Sequence, residues 1–314
     1  MGEGCIVLAG GSGFLGRLLS GHLASSGYEV VVLSRSPSGN GGATTVAWDG
    51  ETIGPWREYI KGARAVVNLA GRSVNCRYTR ANRREILQSR LRSTRVLGEA
   101  IAHCDDPPPV WLNASTATIY KHSLDEPNDD LTGEIGATPE AKDAFSVEVA
   151  VAWERELAEA PTPATRKVAL RAAMVLFPEK GGVFDVLRRL VRLRLGGTMG
   201  SGDQYVSWIV DDDFCRAVEF LIQHDDIDGP VNLAAPNPVT NRALMRTLRR
   251  LCGVRVGLPA TRWMLEAGAL FLRTETELVI KSRNVIPTRL LDAGFEFHYP
   301  DIESAASELL KRKT

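Results

Sequence analysis

Residues 5–16 read CIVLAGGSGFLG, and the fold of the chain turns on them. An apolar run, Cys5 to Ala9, enters a turn with glycine at positions 10, 13 and 16, and an amphipathic stretch carrying Leu15, Leu18, Leu19 and Leu23 follows. Strand, Gly-x-x-Gly-x-x-Gly turn and helix in that order predict a phosphate-binding turn for a dinucleotide. Gly10 permits the tight turn, Gly13 leaves room for backbone N–H groups to meet a pyrophosphate, and Gly16 lets the helix approach the strand.

Gly27 then leads into a second strand, Glu29 to Leu33, followed by Ser34 and Arg35. A site for NAD usually carries Asp or Glu near this point to hold the ribose 2′-hydroxyl. Here a hydroxyl and a guanidinium stand instead, and these suit a 2′-phosphate, so the reading is NADP(H).

The 314 residues allow one large α/β unit with a smaller appended part, and 44% hydrophobic content supplies its core. Lys plus Arg and Asp plus Glu each number 38, so no net field draws the chain to nucleic acid or membrane. The basic run Leu187 to Arg194 interleaves arginines with aliphatics and reads as an amphipathic helix. Five cysteines stand singly, which suits reduced thiols and a cytoplasmic location. The five histidines form no ligand motif, so no metal is expected. No apolar run reaches the length of a membrane span.

Strand and helix patterns alternate through the first half, which predicts a doubly wound parallel sheet with crossover helices. After the first two strands come Thr44 to Trp48, Ala65 to Leu69, Val110 to Ala114 and Lys167 to Leu170, with long helices over Arg80 to His103 and Ala144 to Ala158. Ser36 to Gly42 reads as a loop. Past Pro178 glycines divide the chain around the basic helix, and the rest reads as helices with an isolated extended patch, Val254 to Pro259. The expected division is a nucleotide domain over 1–177 and a smaller substrate-side lobe over 178–314, some of whose segments return to the core.

Several further stretches carry a family resemblance: VVNLAG at 66–71, SRLRST at 89–94, STATIY at 115–120, Trp153-Glu154, LGGTMGSGDQYVSWI at 195–209, GPVNLAAPNPVTN at 229–241 and DAGFEFHYPDIESA at 292–305. With the glycine turn, they resemble the extended short-chain dehydrogenase/reductase superfamily, in particular its atypical epimerase-like group with a C-terminal domain of unknown function. The resemblance implies an NAD(P)-binding Rossmann domain. It places Phe14 and Leu15 as amide donors to phosphate, and Asn68, Leu69, Ala70 and Gly71 along the adenine-side ribose and pyrophosphate. Arg90 falls near the cofactor, either to meet a carboxylate or phosphate or to serve as a structural ion-pair residue.

The resemblance also shows what is missing. The superfamily moves a proton with a Tyr and a Lys four residues later. Those positions hold Ser146 and Ala150. Thr116 takes the place of the substrate-orienting Ser or Thr, and Tyr120 is the nearest tyrosine in sequence that could supply a proton, or else a packing residue. Val210 stands where the group often has His, Asp213 suits a helix start, and Asn237 lies in a rigid loop. Two functions stay open at this point. One is an NADP(H)-dependent oxidoreductase or epimerase-like protein acting on a small polar molecule. The other is an NADP(H)-binding regulatory protein without turnover, linked in some lineages to cell division. Substrate and oligomeric state are open as well.

Overall fold

The computed structural model describes residues 2–36, 43–261, 263–265 and 277–312. The central sheet holds seven parallel strands in the order β3-β2-β1-β4-β5-β6-β10. These are β1 (Cys5–Ala9), β2 (Glu29–Ser34), β3 (Thr44–Ala47), β4 (Ala65–Asn68), β5 (Val110–Thr116), β6 (Arg166–Ala172) and β10 (Gly229–Leu233). Because side chains alternate along a strand, Ile6 and Leu8 face one layer and Val7 and Ala9 the other. The first layer is α1 (Phe14–Ser25) and α5 (Asp211–Gln223), which contribute Leu19, Leu23, Phe214 and Leu221. The second is α2 (Arg80–Ala102) and α3 (Ala144–Glu159), which contribute Val96, Leu97, Ile101 and Leu157. Both faces are covered, which explains the continuous apolar runs of the inner strands.

The lobe has its own core. It is built from β7 (Met174–Leu176), α4 (Val183–Arg192), β8 (Tyr205–Val206), β9 (Trp208–Val210), β11 (Val239–Thr240), α6 (Asn241–Leu251), α7 (Glu277–Ile280) and α9 (Ile302–Lys311), while the intervening α8 (Thr288–Asp292) buries Leu290 in the sheet core beside β10. Phe184, Leu187, Met199, Trp208, Met245, Leu248 and Leu309 pack together there. Val210 is fully buried in this cluster, and Asn237 faces Pro300, whose carbonyl accepts its amide at 3.0 Å. Asp213 lies in the first turn of α5 and accepts the backbone N–H groups of His298 and Tyr299, tying α9's approach to the sheet.

Several details differ from the sequence reading, among them the short strands β8, β9 and β11 in a part expected to be mainly helical. The sheet gains a seventh strand that the sequence reading did not name: β10, one of the segments expected to return from the lobe half, pairs with β6. Strand β6 runs longer at both ends, since its register with β5 extends through Thr116 and Ala172. Residues 254–259 form no strand; Leu258 instead exchanges backbone hydrogen bonds with Arg194 and Gly197, so the patch is tied down and not isolated. Most of the expected loop at 36–42 lies outside the described residues. No described helix is long and apolar enough to cross a membrane.

Candidate functional site

Strands β1 and β4 are neighbours whose connections run in opposite directions across the sheet, and their carboxyl ends open a crevice. The turn after β1 fills it. Gly10 has φ +77°, and a Cβ there would lie 2.7 Å from the Ala70 nitrogen, so both conformation and space demand glycine. A Cβ at Gly16 would lie 2.4 Å from the Gly11 Cα. Gly13 is different: its backbone is extended and a Cβ would meet nothing closer than the Gly10 carbonyl oxygen at 3.3 Å. What a side chain at 13 would enter is the cavity. No side chain caps α1 and its first turn carries no acid, so the N-terminal amides and the positive end of the helix face open space.

Three cavities run on from this turn. One of about 370 Å³ is lined by Gly10, Gly13, Ser34, Arg35, Leu69, Ala70, Gly71 and Arg92. A central one of about 510 Å³ shares Gly10, Gly13, Leu69 and Gly71 and adds Phe14, Leu15, Gly16, Arg90 and Thr116. The third, about 300 Å³, opens past Thr116 and Thr118 into the lobe and is lined by Met174, Leu187, Tyr205, Asn241, Lys281 and Arg283. Thr116 and Thr118 belong to both of the last two.

Of the expected cofactor residues, the structure brings Gly10, Gly13, Phe14, Leu15, Gly16, Ser34, Arg35, Leu69, Ala70, Gly71 and Arg90 to these walls. Asn68 is not among them. It is fully buried, donates to Asn113 Oδ1 at 2.7 Å and accepts the Ala70 N–H at 3.0 Å, so it shapes the 69–71 turn from behind. Arg90 donates to the carbonyl oxygens of Ile86 and Arg72, and its guanidinium lies 4.9 Å from the Trp153 ring centroid. Burial lowers its pKa to about 10. Its partners are backbone oxygens and a ring, so the structural ion pair expected as one alternative is not what holds it.

Tyr120 requires a correction. Its side chain is 1% exposed and lines none of the three cavities. The hydroxyl donates to Asn232 Oδ1 at 2.9 Å and accepts from Arg171 at 2.8 Å. Arg171 in turn pairs with Glu154, which also accepts from Ser115 at 2.6 Å. Burial raises the Tyr120 phenol above its ordinary value. The network bolts β5, β6, α3 and β10 together, so the chain's sequence proximity of Tyr120 to Thr116 does not translate into a shared site.

The sequence reading missed a second group. Ser146, at the vacant Tyr position, lines the central cavity beside Tyr78 and Glu277. Its hydroxyl donates to Glu277 Oε1, and the Tyr78 hydroxyl donates to the same oxygen at 3.3 Å. Ala150, at the Lys position, is sealed against Ala117, Ile119 and Tyr120. An ammonium does enter nearby from elsewhere: Lys281 pairs with the buried Asp143 at the start of α3 and donates to the Thr118 carbonyl at 2.6 Å. Arg283 donates to the Thr118 hydroxyl at 3.1 Å. Burial raises the Glu277 pKa and lowers those of Lys281 and Arg283.

A glycine turn on β1, a crevice at the strand switch and an Asn-shaped turn on β4 are what a family-wide comparison should detect. A model described as the NAD dependent epimerase/dehydratase family matches residues 6–234. The chain belongs to this family. A second model, described as a domain of unknown function, DUF1731, matches residues 260–309. Within the family, the chain is 31% identical to epimerase family protein YfhF of Bacillus subtilis, over 98% of this chain and 99% of that one. It is 30% identical to epimerase family protein MT2273 of Mycobacterium tuberculosis, over 97% of both. The crystal structure of human epimerase family protein SDR39U1 (isoform 2) with NADPH superposes with a TM-score of 0.85 at 27% identity, covering 98% of this chain and 100% of that one.

Proposed function

We propose that this epimerase-family protein binds NADPH along the first two cavities and carries out hydride transfer on a small polar substrate held past Thr116. The observation that carries the reading is the joining of the uncapped N-terminus of α1 to a pocket that ends at Ser34 and Arg35. Arg35 is exposed and makes no hydrogen bond or ion pair among the described residues, so its five N–H donors are available to a 2′-phosphate. No acid follows β2 directly to hold a 2′-hydroxyl. The human relative crystallised with NADPH supports the same choice.

The cradle fits the group. The amides of α1 would meet the pyrophosphate, the glycine at 13 would leave it room, and the turn at 69–71 would pass the adenine-side ribose. NADPH bound there supplies a hydride to, or its oxidised form accepts one from, a carbon bearing oxygen. Thr116, on the wall shared by the central and lobe cavities, would hold that oxygen. The lobe cavity is small and mixes apolar residues such as Met174 and Leu187 with polar ones such as Thr118, Tyr205 and Asn241, which favours a compact polar substrate. No feature of the described residues points to a cell-division role.

Fluorescence titration with NADPH and NADH tests the reading. NADPH should bind well ahead of NADH, and Arg35→Ala should erase the preference. Equal binding of the two by the unaltered chain would overturn it.

A further inference from the structure

The reaction end lacks the Tyr–Lys pair that the resemblance assigns to proton transfer, yet its cavity wall carries an acid. Glu277 is 4% exposed and reaches the wall from α7, while Ser146 reaches it from α3 and Tyr78 from the loop ahead of α2. The hydroxyls of Ser146 and Tyr78 converge on the same Glu277 oxygen, and they stand 3.5 Å from each other. We propose that Glu277, acting through the Ser146 hydroxyl, is the proton donor of this site; the inference rests on the hydride-transfer reading above.

Ser146 sits where the family's Tyr would stand, and it lines the same central cavity as Thr116, which would bring its hydroxyl to the oxygen of a substrate held there. As the carbonyl carbon accepts hydride, the π pair of the C=O bond moves onto oxygen, which takes the Ser146 proton. The Ser146 oxygen then takes the proton of the Glu277 carboxyl, with the hydrogen bond between them reversed from its carboxylate form. Glu277 is left as carboxylate, and solvent returns its proton once product leaves. The reverse reaction runs the same atoms backwards.

A carboxyl suits this work only if it keeps a proton above the ordinary glutamate range. Burial pushes Glu277 that way and is the dominant influence, and the charge of Asp143 adds to it. The Ser146 and Tyr78 hydroxyls and the charge of Arg283 oppose it. Lys281, which also feels Glu277, is itself held by Asp143. Ser146 therefore tunes the acid as well as passing its proton.

The test uses the full-length chain with its Glu277→Gln and Ser146→Ala variants, after NADPH binding has been measured by fluorescence. Failure of NADPH to bind the unaltered chain would defeat the hydride-transfer reading, whatever the carboxyl does. Infrared titration reads the proton directly. A carboxylic-acid C=O band absent from Glu277→Gln should persist above the ordinary glutamate pKa of about 4.3. Its midpoint should rise in Ser146→Ala, because the hydroxyl stabilises the carboxylate. With phenanthrenequinone as the hydride acceptor, oxidation of bound NADPH should slow as pH rises through that midpoint. Both variants should lose roughly ten-fold or more in rate, together with the pH limb, at unchanged NADPH affinity. Should Gln at 277 unfold the chain, Ser146→Ala carries both readouts. A midpoint at or below the ordinary value overturns the inference, as does a rate and pH profile indifferent to Ser146→Ala. So does an unaltered chain that binds NADPH but does not reduce the quinone.

Discussion

The two ends of the crevice are built in opposite ways. The phosphate end is made of backbone: a turn over 10–16 that offers amides, with glycines where a Cβ would strike Ala70 or Gly11. The reaction end is made of side chains, and Tyr78 and Glu277, which share a hydrogen bond there, are 199 residues apart. A backbone site is specified by the conformations its residues permit, and a side-chain site by what folding brings together. The first should therefore fail through shape, the second through chemistry.

The largest expected effect is at the phosphate end. Gly13→Val should fold normally by circular dichroism, since a Cβ there meets only the Gly10 carbonyl oxygen. Its isopropyl group would occupy the space of the pyrophosphate, so NADPH affinity should fall by roughly a hundred-fold or more. Undiminished affinity in a folded variant would show that the phosphates lie elsewhere. Arg35→Ala comes next: calorimetric titration should show a loss of about 1.5–3 kcal/mol for NADPH, the scale of a hydrogen bond to a charged group, and little change for NADH.

The reaction end separates a cavity hydroxyl from a buried one. Thr116→Ala should slow any turnover while leaving the urea midpoint nearly unchanged. Tyr120→Phe should do the opposite, removing one partner of Arg171 and Asn232 at a cost of about 1–2 kcal/mol in stability, with little effect on rate. A larger rate effect from Tyr120→Phe would return that residue to the site and erase the contrast.

The smallest effect is the pH dependence of stability from Glu277. Its folded pKa is raised by burial, so the stability it lends is fully present below the ordinary glutamate pKa and is lost as pH rises through the folded value. Urea midpoints of the unaltered chain should therefore decline across that window more than those of Glu277→Gln. Equal slopes would mean that the carboxyl is as well solvated folded as unfolded.

How much was legible in the sequence follows the same contrast. That Gly10, Gly13, Gly16, Ser34 and Arg35 come to the cavity walls was readable because each lies within a single strand-turn-helix-strand unit, where spacing and geometry are the same thing. Asn68 was found by resemblance as part of the 68–71 segment, but the resemblance did not show that its side chain turns inward to Asn113 and the Ala70 amide. For Tyr120 the sequence left proton donor and packing residue both open, and the structure gives the packing role, because nearness along the chain to Thr116 says nothing of direction. The short helical turn after β5 carries its ring into the core beside Arg171. No sequence signal marked Glu277, Lys281 or Arg283, whose charges look like those of any solvated helix end.

By itself, then, the sequence determined the parallel sheet and the glycine turn and placed Ser34 and Arg35 at the end of β2, because strand periodicity, turn geometry and residue order are local properties. Only the tertiary structure decided that β10 would return to the sheet, that Tyr120 would be spent on a buried network, and that an acid from α7 would meet the vacant Tyr position on α3. Those outcomes depend on which distant segments share a core. A burial that raises a carboxyl's pKa exists only once that core has closed around it.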